Sequence, residues 1–117
     1  MMDVVEFQDE EGGHPFSRWF ASLNVQAALK ARTAVARIED GNFSKLKPVG
    51  QGVSEYKLNV GPGYRIYFGK DGETLVILLG GGTKKRQNRD VEQAQLLWKA
   101  YKQRKKKGLY HGINQRL

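Results

Sequence analysis

Cysteine is absent from the 117-residue sequence, which excludes disulfides, thiol catalysis and cysteine-based zinc sites. Histidine is scarce. His14 and His111 stand at opposite ends of the chain, so they form neither a spaced metal-ligand pair nor a triad with serine and aspartate, and His14 reads as a helix-entry residue. Long apolar runs are missing too: the longest, at 75–79, is five residues, far short of a membrane span. The opening MMDVVEFQDEEGG is acidic where a signal peptide would be positive, and a cytoplasmic location is expected. GGGTKKR, which begins at Gly80, lacks the spacing of a phosphate-binding Walker loop. The carboxylates around Asp9 have no partner histidine, so metal-dependent hydrolysis is not expected, and no cofactor or metal is called for.

What is abundant is positive charge, and it is placed unevenly. The net charge is +8. Acidic residues crowd the start (Asp3, Glu6, Asp9, Glu10, Glu11), whereas eleven of the twenty Lys and Arg lie from Lys84 onward, opposed there by Asp90 and Glu92 alone. Such asymmetry points to a polyanionic partner, because each cation that neutralises a phosphate releases condensed counterions. Hydrophobic residues make up 39% of the chain, enough for one modest core at this length. One domain is expected over 1–106, followed by a tail, 107–117, without periodicity.

Periodicity divides the chain into elements. Residues 3–8 (DVVEFQ) form a short β-branched stretch and predict a first strand. Pro15 suits a first helical turn, and Phe16, Trp19, Phe20 and Leu23 recur at helical spacing. A second helix follows Asn24, with Ala28, Ala31, Val35 and Ile38 as its apolar face, and Gly41-Asn42 stops it. From Val53 the period becomes two: Tyr56, Leu58 and Val60 alternate with Glu55, Lys57 and Asn59, and after the turn Gly61-Pro62-Gly63 so do Tyr64, Ile66 and Phe68 with Arg65 and Tyr67. Lys70-Asp71-Gly72 marks a second hairpin. The apolar run 75–79 predicts a strand covered on both faces. Val91, Ala94, Leu97 or Trp98, and Tyr101 share one face of a last helix over 88–106. The expected order is β-α-α-β-β-β-α. This is a small α+β domain with two N-terminal helices packed on one face of an antiparallel sheet and a C-terminal helix.

If Tyr56, Leu58, Val60, Ile66 and Phe68 face the helices, strand parity turns Lys57, Asn59, Arg65 and Tyr67 to the opposite, open face. Lys84, Lys85 and Arg86 emerge beside it. Cations interleaved with tyrosine are what holding a phosphate and stacking a base require; solvated cations on an open sheet are the plainer alternative.

The stretch GNFSKLKPVGQGVSEYKLNVGPGYRIYF, followed by LLGGGTKKRQNRDVEQA, resembles the RelE-type toxins of bacterial toxin–antitoxin pairs, in particular the HigB-like "addiction module killer protein" branch. Glu55, residues 61–68, Gly81, Gly82, Lys84, Gln87, Asp90, Val91 and Ala94 fall in register with that branch, and the likeness runs from about residue 3 to about residue 104. Tyr56-Lys57 stands where the branch has Leu-Arg, which keeps a charge but loses the guanidinium fork. Lys85-Arg86 adds cations within the K-x-x-Q motif.

The resemblance implies a metal-independent endoribonuclease that cuts mRNA on the ribosome by attack of the RNA's own 2′-hydroxyl, and that is silenced by a helix-turn-helix antitoxin. It implies Arg65 as phosphate stabiliser, Lys84 as a second clamp or acid, Lys57 as a base and Tyr67 as stacking partner or proton donor. Tyr64, Asn59, Lys85 and Arg86 would hold RNA, while Gln87 and Asp90 are read as structural. Arg65 is expected to face solvent and to add little stability. The alternatives are a ParE-like relative that poisons gyrase and a nucleic-acid-binding module without catalysis.

Overall fold

The computed structural model describes residues 1–108; all but the first two residues of the expected tail lie outside them. The elements are β1 (Asp3–Glu6), α1 (Pro15–Ala21), α2 (Val25–Glu39), β2 (Leu46–Pro48), β3 (Val53–Lys57), β4 (Arg65–Asp71), β5 (Leu75–Gly82), a 3-10 turn (Lys84–Arg86) and α3 (Gln87–Lys106). The strands form one sheet in the order β1-β5-β4-β3-β2. Strands β2 to β5 are joined antiparallel, whereas β1 runs parallel to β5, Asp3 lying opposite Leu75 and Glu6 opposite Leu78.

Local chemistry sets the helix ends. Pro15 opens α1, where its missing N–H costs no hydrogen bond. The Asn24 side chain accepts the N–H of Ala27 and caps α2. The buried stripe of α2 is Ala27, Ala31, Ala34 and Ile38. It is shifted slightly from the expected face: Ala31 and Ile38 are buried as expected, Ala27 and Ala34 join them, and Ala28 and Val35 lie partly buried at its margin.

The sheet is covered on both sides, and this corrects the expected open face. On one side α1 and α2 bury Tyr56, Leu58, Ile66, Phe68, Val76 and Leu78 with Phe16, Ala31, Ala34 and Ile38. This is the parity read from the sequence, with Val60 packed at the margin. On the other side α3 lays Ala94, Trp98 and Tyr101 over Val53, Tyr67, Ile77, Leu79 and Phe7. The run 75–79 therefore alternates between two dry layers, as its unbroken hydrophobicity predicts. Trp98 can approach because Gly69 has no side chain: a Cβ there would stand 2.6 Å from the indole Cζ3.

Three other expectations are corrected. The sheet is mixed, not wholly antiparallel, since β1 returns to β5 across the entire helical pair. The strand β2 is a short edge element ending in Pro48, a residue tolerated at edges and too brief here to show alternation. The strands flanking Gly61-Pro62-Gly63 stop at Lys57 and restart at Arg65, with the reversal closed by Leu58 N–H to the Tyr64 carbonyl at 2.8 Å. Gly61 and Gly63 both hold positive φ (59° and 77°), a conformation that side chains beyond glycine resist.

A charged contact fastens the end of α3. Asp71, at the tip of the β4–β5 hairpin, accepts from the Tyr101 hydroxyl and the Lys105 ammonium, each at 2.5 Å. Burial disfavours its charged form, but the Lys105 and Tyr101 hydrogen bonds and the Lys105 charge outweigh burial and hold its carboxyl below the usual value. A depressed folded-state pKa contributes stability above the unfolded carboxylate value, about 3.9, and loses it as pH falls through the folded value. Acid titration of the melting temperature should show this loss below about pH 4, and Asp71→Asn should flatten it at a cost near neutrality of about 1 kcal/mol. An unchanged acid limb in that variant would assign the effect elsewhere.

Candidate nucleic-acid interface

Folding sorts the eight sequence candidates into three places. Arg65 and Tyr67 are buried beneath α3, at 5% and 1% exposure. Tyr64, Lys84, Lys85 and Arg86 gather where the Gly61–Gly63 turn meets the 3-10 turn. Lys57 and Asn59 are exposed at and beyond the end of β3, where they line a separate cleft of about 100 Å³ with Lys30 and Arg37 of α2 and Lys45.

Arg65 does not face solvent, which overturns that expectation. Its parity was read correctly, but α3 closes the face. Its Nε lies 3.4 Å from Oε1 of Glu55, at ion-pair distance without a well-directed hydrogen bond. Its Nη1 donates to the Gly63 carbonyl at 2.5 Å. Glu55 is 3% exposed, and its other oxygen accepts from Gln87 Nε2 at 2.8 Å. One carboxylate thus ties β3 to β4 and to the start of α3, while the arginine carries the tie on to the glycine turn. Glu55 belongs to this site yet was not among the candidates. Two signals were available, its place in register with the RelE-type motif and its polar character in a strand whose face proved to be covered.

Tyr67 is in no position to stack a base or donate a proton to RNA. Burial pushes its phenol up, and the nearby carboxylates of Glu55 and Asp90 push it further, against the pull of Arg65. It remains a neutral phenol that approaches Glu55 without a well-directed bond. Asp90 is also raised, by burial, against the opposing effects of Arg86, the Thr83 N–H it accepts, and Arg89.

The cations left at the surface are concentrated. The 3-10 turn hangs on the glycine turn through Lys84 N–H to the Pro62 carbonyl at 3.4 Å, and a Cβ on Gly63 would stand 3.4 Å from Cβ of Lys84. The chain of contacts therefore runs from Glu55 through Arg65 and the glycine turn to Lys84. Beyond it, Lys84, Lys85, Arg86 and Arg89 border a concave surface of about 490 Å³. Four cations around one concavity, with the backbone beneath held by a buried ion pair, can grip phosphates without prior ordering.

A second concavity adjoins it. It lies between α1 and the β5–α3 junction, about 520 Å³ in volume, and includes Arg18, Trp19, Ser22, Tyr64, Arg86 and Asp90. Trp19 was read as a core residue from its place in the helical stripe. It does pack against the core on the α1–α2 side but stays only partly buried; its ring leans on Gly81 and meets Tyr64 edge to face, 6.3 Å between centroids.

Among the described residues no cluster of three or more His, Asp or Glu side chains is placed to hold a metal, and no helix is long and apolar enough to cross a membrane. No protein-family model matches the chain. A Haemophilus influenzae protein that bears the name "Uncharacterized protein" is 40% identical over 83 residues, a stretch covering 70% of this chain and 84% of the relative. At that identity and coverage, the chain belongs to one family with this Haemophilus influenzae protein.

Proposed function

We propose that this chain is a RelE-type toxin of the HigB-like branch, with the corresponding RelE-like fold, acting as a metal-independent endoribonuclease on mRNA held by the ribosome. The observation that carries the reading is the exposed cluster of Lys84, Lys85 and Arg86 mounted on the Gly61–Gly63 turn. In the reaction a bond forms between the 2′-oxygen and the phosphorus, and the bond to the 5′-oxygen breaks. One proton leaves the 2′-hydroxyl and another reaches the departing 5′-oxygen, giving a cyclic phosphate and a free 5′-hydroxyl. The phosphorane between them carries extra negative charge, which fixed cations stabilise without reorganising.

Burial redistributes the roles. Lys84 becomes the principal phosphate clamp, Lys85 and Arg86 hold neighbouring phosphates, and Tyr64 offers an aromatic face. Arg65 serves as a positioning residue that holds the turn carrying them. Lys57 and Asn59 serve a second stretch of RNA along the α2 cleft. A helix-turn-helix antitoxin is the proposed silencing partner, and the cytoplasm the proposed location.

Tyr67's burial favours a second reading, a nucleic-acid-binding module without cleavage, since it removes the tyrosine expected to move a proton. Mapping the ends of a translated message after induction in cells separates the readings. New ends with 5′-hydroxyls, lost in Lys84→Ala, are expected for the ribonuclease. Binding without new ends supports the module, and gyrase-dependent DNA breaks would point to the ParE-like alternative.

A further inference from the structure

We propose that the concavity between α1 and the β5–α3 junction is a nucleobase subsite, in which one base of single-stranded RNA lies against Trp19 and Tyr64 with its edge toward Asp90. The inference deepens the ribonuclease reading and rests on it for the identity of the strand.

Three kinds of group meet there, and together they match a base's face, its polar edge and the phosphates beside it. The rings of Trp19 and Tyr64 stand at 70° to each other, forming an aromatic corner with the π-face that a base requires. Arg18, on α1, is 65% exposed, and Arg86, on the 3-10 turn, is exposed as well. Both line the same concavity as the corner, Arg18 with an exposed ion pair to Asp9 at 3.6 Å, and both are within the path that the phosphates next to a stacked base would take. Ser22 and Asp90 supply polar atoms. Asp90 has the Thr83 N–H beside it, and its carboxyl oxygens keep acceptor capacity beyond that contact.

Backbone composition holds the space open. A Cβ on Gly81 would collide with the Trp19 indole, and one on Gly82 with the Asp90 carboxylate. Both rows of atoms can therefore sit directly on the end of β5. The two tryptophans also differ: Trp98 is buried and stacked on Tyr101, 5.1 Å between centroids, whereas Trp19 is only partly buried. The subsite adjoins the Lys84–Arg89 concavity and shares Arg86 with it, so a strand can occupy both.

A carboxylate acceptor selects among bases. Cytosine and uracil have the same ring size and differ at C4, where cytosine carries an amino donor and uracil a carbonyl. Cytosine gives Asp90 a donor, while uracil places carbonyl oxygens on either side of its only ring N–H. Bases bearing an amino group should bind better than uracil, by about 5- to 10-fold for one such contact.

The test uses the full chain and 2′-O-methyl trinucleotides, whose blocked nucleophile permits binding without cleavage. Middle bases of cytosine, adenine and uracil are compared by quenching of tryptophan fluorescence in a Trp98→Phe background. Quenching of Trp19 with cytosine and adenine ahead of uracil is expected. Arg18→Glu, which also gives up the exposed ion pair with Asp9, should weaken binding at least 5-fold, and Trp19→Ala about 10-fold or more. Asp90→Asn, which can donate to the uracil carbonyl, should erase the preference. Unchanged affinity in Arg18→Glu and Trp19→Ala would overturn the subsite whatever the cleavage result, and equal affinity for the three bases would overturn the Asp90 contact. Binding that follows these expectations while no message is ever cut would leave the subsite standing and remove the ribonuclease reading instead.

Discussion

Arg65→Ala should lower stability by about 3–5 kcal/mol, because it leaves the Glu55 carboxylate buried without its cationic partner. For a domain of this size that is a drop in melting temperature of about 15 °C or more. The loss of cleavage in such a variant would then come with a loosened fold, and activity alone could not assign Arg65 a chemical role. Two further variants separate the effects. Arg65→Lys keeps the charge but cannot reach both Glu55 and the Gly63 carbonyl with a planar fork, so it should recover only part of the stability. Replacing both partners, Glu55→Leu with Arg65→Met, removes the buried charges together and should fall within about 1 kcal/mol of the parent, since apolar pairs of similar volume often substitute for buried ion pairs. If the double variant folds and still cuts RNA, the arginine acts through position alone. A normal melt for Arg65→Ala would show that the buried pair is not what holds the glycine turn.

Lys84→Ala should give the opposite pattern, with activity reduced about 10²–10³-fold, the usual effect of deleting one fixed electrostatic donor, and a melting temperature within about 4 °C of the parent. Its side chain is exposed, so nothing is left buried and unpaired when it is cut back. Its backbone stays tied to Pro62 in the variant, so the glycine turn should not shift. Binding to RNA should also lose about one unit of salt slope, since one phosphate contact disappears. Growth arrest on induction, message cleavage and thermal melting measured on the same preparation decide the matter. A Lys84→Ala protein that cuts as well as the parent would remove the cation cluster from the mechanism and favour the binding-module reading. Lys85→Ala should cost far less, as it is Lys84 whose backbone N–H and Cβ meet the glycine turn.

Local order along the chain was legible because short-range physics determines it. Pro15 at the start of α1, the Asn24 cap, the stop at Gly41, the two-residue period from Val53 and the two glycine-containing reversals each depend on a few neighbouring dihedrals or on alternation along one strand. So does the assignment of Tyr56, Ile66 and Phe68 to one side of the sheet and Arg65 and Tyr67 to the other. Composition alone also determined the concentration of cations after Lys84. What only the tertiary structure decided depends on contacts between distant segments. The parallel pairing of β1 with β5, the three-residue edge strand β2 and the side on which α3 docks have no local signature, because each is selected by the burial of whole faces. The last of these governed the site. A strand's parity says which residues share a face but not what covers it, and α3 turned an expected open surface into a dry layer. Arg65 thereby became half of a buried ion pair and Tyr67 a neutral core phenol, while Trp19, packed on the core as its helical stripe implies, kept part of its surface open beside Tyr64.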